Sequence, residues 1–303
     1  VELPDGDASV LHPNDAVDAA ESAVGRQGDA IVQPNADRER VLVLFHGLGG
    51  CHQSPYMIRL VSKCIATGWT VYRVDMRGCG SAHEFATGIS HAGRSEDIHA
   101  ALEFVASRHP MSPMTAAGVS LGGNQLLRFA GRIGAGLDPR PGWFDRLDRI
   151  AAVAPPIDLQ RCSDNMERYS RRPYNYFFIR VLLSSVPEGI RRRQVFDEFI
   201  AAGRPRTLFE LDDRLTAPLS GFDGASDYYQ QCGAAAVAAF NPLKTMVLAA
   251  RDDPIVPAAC FDRSDWPRET SVIMAKTGGH AGFVGRAQQY WMDDCLLAWI
   301  NQL

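Results

Sequence analysis

Ser120 stands at the centre of Gly118-Val119-Ser120-Leu121-Gly122, with the apolar, β-prone Met114-Thr115-Ala116-Ala117 before it and Gln125-Leu126-Leu127-Arg128-Phe129-Ala130 after it at helical spacing. That context predicts a strand, a sharp turn and a helix. A serine at such a turn takes a strained backbone conformation, and small residues are required at 118 and 122 because a side chain there would strike neighbouring backbone. The hydroxyl is pushed clear of the sheet. The following helix aims its first amides at the same point, where the N–H of Leu121 could meet negative charge on a substrate oxygen. A hydroxyl alone is a poor nucleophile; it needs a base to take its proton and a carboxylate to hold that base in the right tautomer. The chain supplies candidates in the order Ser120, Asp253, His280, each in a loop just after a predicted strand, so a parallel sheet would bring them to one edge.

Rivals exist for two of the three. Asp252 neighbours Asp253 and could be the acid; Asp253 is preferred because Asp253-Pro254-Ile255-Val256-Pro257 after a strand is the usual form of the acid loop in a fold with this triad order. His91 lies before a helix in a Gly-flanked loop and is the alternative base, but it precedes Ser120 in the chain. An imidazole titrates near neutral pH and suits proton transfer there, which favours His280 in the base role. His46 opens His46-Gly47-Leu48-Gly49-Gly50 at the end of an apolar run and is read as structural, while the N–H of Leu48 becomes a second candidate oxyanion donor. This glycine cluster is no dinucleotide loop, since the third glycine position is His52, and no Gly-Lys-Ser/Thr phosphate loop occurs in the chain. His91 and His99 lack metal-ligand spacing.

The elements that must position these residues alternate. Strands are expected at 41–45, 70–75, 150–154, 244–250 and 271–274 in addition to the one entering Ser120, with helices at 55–66, from a Ser95 cap, after Ser120, and from Arg286 to Ile300. Alternation of this kind implies an α/β fold, a mostly parallel sheet with helices on both faces. Residues 1–12 read as a hairpin around Pro4-Asp5-Gly6, and a short strand is expected near Ala30-Ile31-Val32. Residues 157–240 break the rhythm and are helix-prone, and they are read as a helical cap inserted in a single α/β domain spanning 1–303, with Tyr174, Tyr176, Phe177 and Phe178 walling a pocket or filling the cap's own core. A net charge of −4 gives no basic footprint, so nucleic acid is not an expected partner; Arg191-Arg192-Arg193 is read as a solvated helix face. Seven scattered cysteines suggest neither a zinc site nor a disulfide framework, and residues 1–30 are too polar for a signal sequence, so a reducing, cytoplasmic setting is expected.

The motifs Phe45-His46-Gly47-Leu48-Gly49-Gly50, Arg77-Gly78-Cys79, Gly118 to Asn124, Phe209-Glu210-Leu211-Asp212, Asp227-Tyr228-Tyr229, Asp252-Asp253-Pro254 and Gly278-Gly279-His280-Ala281-Gly282-Phe283 resemble the YheT-like branch of the α/β hydrolases. The resemblance implies an esterase or lipase-like enzyme acting on small-molecule acyl esters, with Ser120, Asp253 and His280 as its triad, amides of Leu48 and Leu121 as its oxyanion hole, no metal or organic cofactor, and membrane contact only for access to substrate. An acyltransferase that passes the acyl group to an alcohol, and a non-catalytic lipid-binding module, are the alternatives.

Overall fold

The structure is a computed structural model in which residues 1–14, 39–285 and 289–302 are described. The expected strand near Ala30-Ile31-Val32 and the first residues of the expected last helix lie outside them. Seven strands form one sheet: β1 (Val10–Asn14), β2 (Arg40–Phe45), β3 (Trp69–Asp75), β4 (Met114–Val119), β5 (Leu147–Val153), β6 (Lys244–Ala250) and β7 (Thr270–Ala275). Their spatial order is β1-β3-β2-β4-β5-β6-β7, and every neighbouring pair is parallel except β1 with β3. The main helices are α1 (Pro55–Ile65), α2 (Ser95–Arg108), α3 (Leu121–Gly134), α4 (Leu159–Met166), α5 (Arg172–Ser184), α6 (Gln194–Ala201), α7 (Ala225–Cys232) and α8 (Trp291–Ile300).

The apolar run of β2 shows why the sheet is buried on both sides. Successive side chains on a strand point to opposite faces. Val41, Val43 and Phe45 therefore pack with Ile98 of α2 and Leu126 and Phe129 of α3, while Leu42 and Leu44 pack with Met57 and Leu60 of α1 and Met292 and Leu296 of α8. A strand sandwiched this way needs apolar residues at every position, and that is what the sequence provides.

Chain order fixes where a site can form. From β2 the chain passes to β3 on one side and returns to β4 on the other, so the order reverses between β2 and β4. Loops leaving the carboxyl ends of those two strands diverge there and leave a crevice. The loop after β2 begins at His46 and the turn after β4 is Ser120.

Three sequence expectations about local structure are corrected. Ser95 does not cap α2: the residue before the helix is Arg94, with no side-chain cap, and the Ser95 hydroxyl instead accepts from Arg128 Nη1 at 2.6 Å. Strand β5 starts earlier than expected, at Leu147, and stops before Ala154, which adopts φ 46° and leaves the sheet. Between β5 and β6 the described chain has no strand, and its short helices hold a small core of Val186, Ile190, Phe196, Phe199 and Leu215. The arginine triplet is not one helix face: Arg191 turns inward onto the carbonyls of Leu183 and Val186, while Arg192 and Arg193 are exposed.

Candidate active site

Ser120 joins β4 to α3 with φ 52° and ψ −118°, a conformation that side-chain-bearing residues rarely adopt. It is held there from both sides: its N–H donates to Val153 O at 2.7 Å and its carbonyl accepts from Asn124 N–H at 3.0 Å. The flanking glycines are sterically required. A Cβ on Gly118 would lie 2.4 Å from Gly122 O, and one on Gly122 would lie 2.6 Å from His46 O. Among the described residues the non-glycine positions with positive φ are Ser120, Ala154 and Phe283, and all three lie in loops at the carboxyl edge of the sheet.

The structure brings the three sequence-predicted residues together. His280 Nε2 is 2.7 Å from Ser120 Oγ, and His280 Nδ1 is 2.9 Å from Asp253 Oδ2. A carboxylate cannot donate, so Nδ1 carries the proton and Nε2 is free to accept from the serine hydroxyl. Asp253 Oδ1 is meanwhile occupied by the N–H groups of Ile255 and Val256 at 2.8 and 3.0 Å, which fixes the carboxylate plane. Asp252 does a different task. Its Oδ1 accepts from the N–H groups of Gly278 and Gly279 at 2.8 and 2.9 Å, pinning the loop that carries His280.

The glycine-rich loop after β2 closes on the serine from the other side, and a Cβ on Gly47 would lie 3.0 Å from Ser120 Cβ. Among the described residues neither the Leu48 N–H nor the Leu121 N–H donates a hydrogen bond. His46 supports this loop from beneath: it is buried, its Nε2 accepts from Met76 N–H at 3.2 Å, and its Nδ1–H therefore donates to Gly47 O at 2.8 Å. Burial pushes its pKa down, which keeps it neutral.

A cavity with about 790 Å³ of empty space opens beside Ser120, its lining including the apolar Leu159, Met166, Phe178 and Leu182 together with His91, Asp212, Tyr228 and Tyr229. A second of about 600 Å³ adjoins it, sharing Leu48, Leu121 and Leu182 and reaching Gly78, Val186 and Leu215. Most of the lining is apolar. Two of the polar exceptions are tied down: Tyr228 OH accepts from Ala92 N–H at 2.9 Å, and Tyr229 OH donates to Asp212 Oδ2 at 2.7 Å. His91, the rival base, is a wall of this cavity rather than a partner of the serine. Burial lowers its pKa to about 3, and its Nδ1 accepts from Gly93 N–H at 3.1 Å. The expectation that Tyr174, Tyr176, Phe177 and Phe178 wall a pocket together, or fill a core, is corrected: Phe178 lines the cavity, and the other three face outward.

One group of possible metal ligands exists among the described residues, His12, His52 and Asp75. His12 Nε2 and His52 Nδ1 both meet Asp75 Oδ2, at 3.1 and 2.7 Å, and the two rings stack 3.6 Å apart at 18°. Both ring nitrogens point at one carboxylate oxygen, so the group ties β1, β3 and the loop after β2 together by hydrogen bonds. Burial raises the Asp75 pKa, but the N–H groups of His52 and Ser81 overcome that and hold it below the usual carboxylate range. Nothing in the sequence spacing signalled this contact, because its members are separated by dozens of residues.

Residues 40–287 match the family described as alpha/beta hydrolase fold. The chain is 28% identical over 310 aligned positions to "Putative esterase YheT" of Escherichia coli strain K12, covering 99% of this chain and 83% of that protein. It is 25% identical to "Phospholipase ABHD3" of Mus musculus, covering 86% of this chain and 62% of that protein. Among solved structures, an esterase from Exiguobacterium antarcticum superposes with a TM-score of 0.57 at 13% identity, covering 100% of this chain and 98% of that one. The first of these agrees with the resemblance read from the motifs, and the last shows the shared fold. No helix among the described residues is long and apolar enough to cross a membrane.

Proposed function

The chain belongs to the alpha/beta hydrolase fold family, and on that premise we propose that it is a carboxylic ester hydrolase working through an acyl-serine intermediate. The observation that carries this reading is the hydrogen-bonded series Ser120 Oγ, His280 Nε2, His280 Nδ1 and Asp253 Oδ2, at 2.7 and 2.9 Å, on a serine with φ 52°. Esterase and phospholipase names among the relatives support the ester as substrate class.

In this reading Ser120 Oγ attacks the ester carbonyl carbon while its proton passes to His280 Nε2. Charge that builds on the carbonyl oxygen is met by the unpartnered N–H groups of Leu48 and Leu121, the latter at the positive end of α3. Asp253 keeps the ring oriented and stabilises it while it carries two protons. The tetrahedral centre then collapses, the C–O bond to the alcohol breaks, and the departing oxygen takes the proton from Nε2. Water repeats the attack on the acyl-serine, giving up a proton to Nε2, and the acid leaves as Ser120 recovers its hydrogen. The apolar wall of Leu159, Met166, Phe178 and Leu182 suits the acyl chain.

The test pairs wild type with Ser120→Ala on p-nitrophenyl esters from acetate to palmitate and on a fluorophosphonate probe. Turnover should fall by at least about 10⁴ in the variant, with labelling of wild type alone and no change in the thermal midpoint. Retained turnover in Ser120→Ala would end the assignment, and binding without labelling of wild type would favour the non-catalytic module.

A further inference from the structure

Helix α5 has two faces in different surroundings. Phe178 and Leu182 line the cavity beside Ser120, and Asn175 and Ile179 are buried next to them. The opposite side turns Tyr176 and Phe177 outward, each 56% exposed, while Tyr174 in the first turn of the helix is 36% exposed and Tyr169 in the turn leading into it is 77% exposed. Large aromatic side chains gathered in water on one element mark an interaction surface.

Charge identifies the partner. Residues 168–193 contain seven arginines and one acidic residue, Glu188, a net charge of +6 within a chain of −4, so the remainder of the protein carries −10. Arg168, Arg172, Arg180, Arg192 and Arg193 are exposed, and among these the ion pair formed is that of Arg192 with Glu188 at 3.2 Å. Cations and rings are interleaved: the Arg172 guanidinium lies 4.4 Å from the centroid of Tyr169, and that of Arg204 lies 5.1 Å from Tyr176. Exposed aromatics among guanidinium groups match the headgroup layer of a bilayer with negatively charged lipids, where rings enter the boundary with the acyl chains and arginines meet phosphate. A bilayer is favoured over an acidic protein because the same helix walls the proposed ester cavity, and this choice rests on the ester-hydrolase reading above.

We propose that the outer face of α5, with the turn before it, docks the protein on anionic phospholipid surfaces and so holds a wall of the ester cavity against the bilayer. The concentration of positive charge on an otherwise acidic molecule also orients it on approach.

The test measures co-sedimentation of the Ser120→Ala protein with vesicles of phosphatidylcholine alone and of phosphatidylcholine with phosphatidylglycerol, so that no lipid is hydrolysed during the assay. Binding should appear with the charged vesicles, weaken with added salt, and fall by roughly tenfold or more in both Tyr176→Ser/Phe177→Ser and Arg172→Gln/Arg180→Gln. In the Ser120-containing protein the same pairs should leave turnover of a short soluble ester unchanged, which shows the fold intact; if the aromatic pair unfolds, the arginine pair decides. Absence of binding to charged vesicles, or equal binding by the variants, overturns the proposal. So does a dimer in light scattering that the substitutions dissolve, since a second copy would then cover the patch. Loss of ester turnover alone would leave the sedimentation result standing, so the two readings fail separately.

Discussion

Asp212 offers a quantitative test of the cavity's electrostatics. It opens a π-helical turn, Asp212–Thr216, in the cavity wall, bonded to the Tyr229 hydroxyl at 2.7 Å and to the Thr216 side chain. Among the described residues it forms no ion pair. Burial raises its pKa from 3.8 to about 6, outweighing both hydroxyl bonds. A shift of this size corresponds to about 3 kcal/mol. The native state then holds the proton more tightly than the unfolded chain, so the stabilisation is complete below pH 4, declines as pH rises through about 6, and is absent above it. The amide introduced by Asp212→Asn cannot ionise. That variant should therefore be more stable than wild type at pH 8 and lose its advantage at pH 4. Part of the Asp212 surface faces the cavity, and water there screens the charge, so about 3 kcal/mol is an upper bound and about 1–2 kcal/mol is expected. For a chain of this size that is roughly 2–3 °C in thermal midpoint. Thermal melts by circular dichroism at pH 4 and pH 8, with urea titrations at pH 8, measure it. A variant no more stable than wild type at pH 8, or one with the same advantage at both pH values, would refute the argument that Asp212 ionises against burial.

Other perturbations follow from the same structure. Arg77 is fully buried, donating to Asp97 at 2.7 and 3.0 Å, to Asp7 at 3.1 Å and to Asp5, so Arg77→Met strands two buried carboxylates and should cost about 3–5 kcal/mol in urea titration; a loss below about 1 kcal/mol would show that those acids find other partners. Gly122→Ala should lower ester turnover by about 10² or more, because its Cβ would lie 2.6 Å from a backbone carbonyl and displace the serine turn, whereas Gly142→Ala, with open space around it, should behave as wild type. Added ethanol should divert a minor share of acyl-serine to ethyl ester, measured by gas chromatography; ethyl ester as the main product at low ethanol would make the protein an acyltransferase.

What was legible in the sequence was what local sterics and chain order dictate. Gly118, Ser120 and Gly122 could be read because a positive-φ turn admits few residue types around it, and the ends of β2, β4 and β6 because a strand buried on both faces must be largely apolar. Asp252 and Asp253 could not be separated with the same force. Both follow β6, and which one meets His280 and which one pins Gly278 and Gly279 depends on how two loops lie against each other. Contacts across long sequence distances, such as Arg77 with Asp5 and Asp7 or His12 with Asp75, left no mark at all, because ion pairs and hydrogen bonds impose no periodicity. Helix α5 shows a deeper limit. A helix with apolar residues around most of its circumference reads as buried, and Tyr174 to Leu183 has that pattern. The pattern states only that each face is poorly suited to water. It cannot say that the face of Phe178 and Leu182 meets the interior while the face of Tyr176 and Phe177 does not, nor what meets that second face instead.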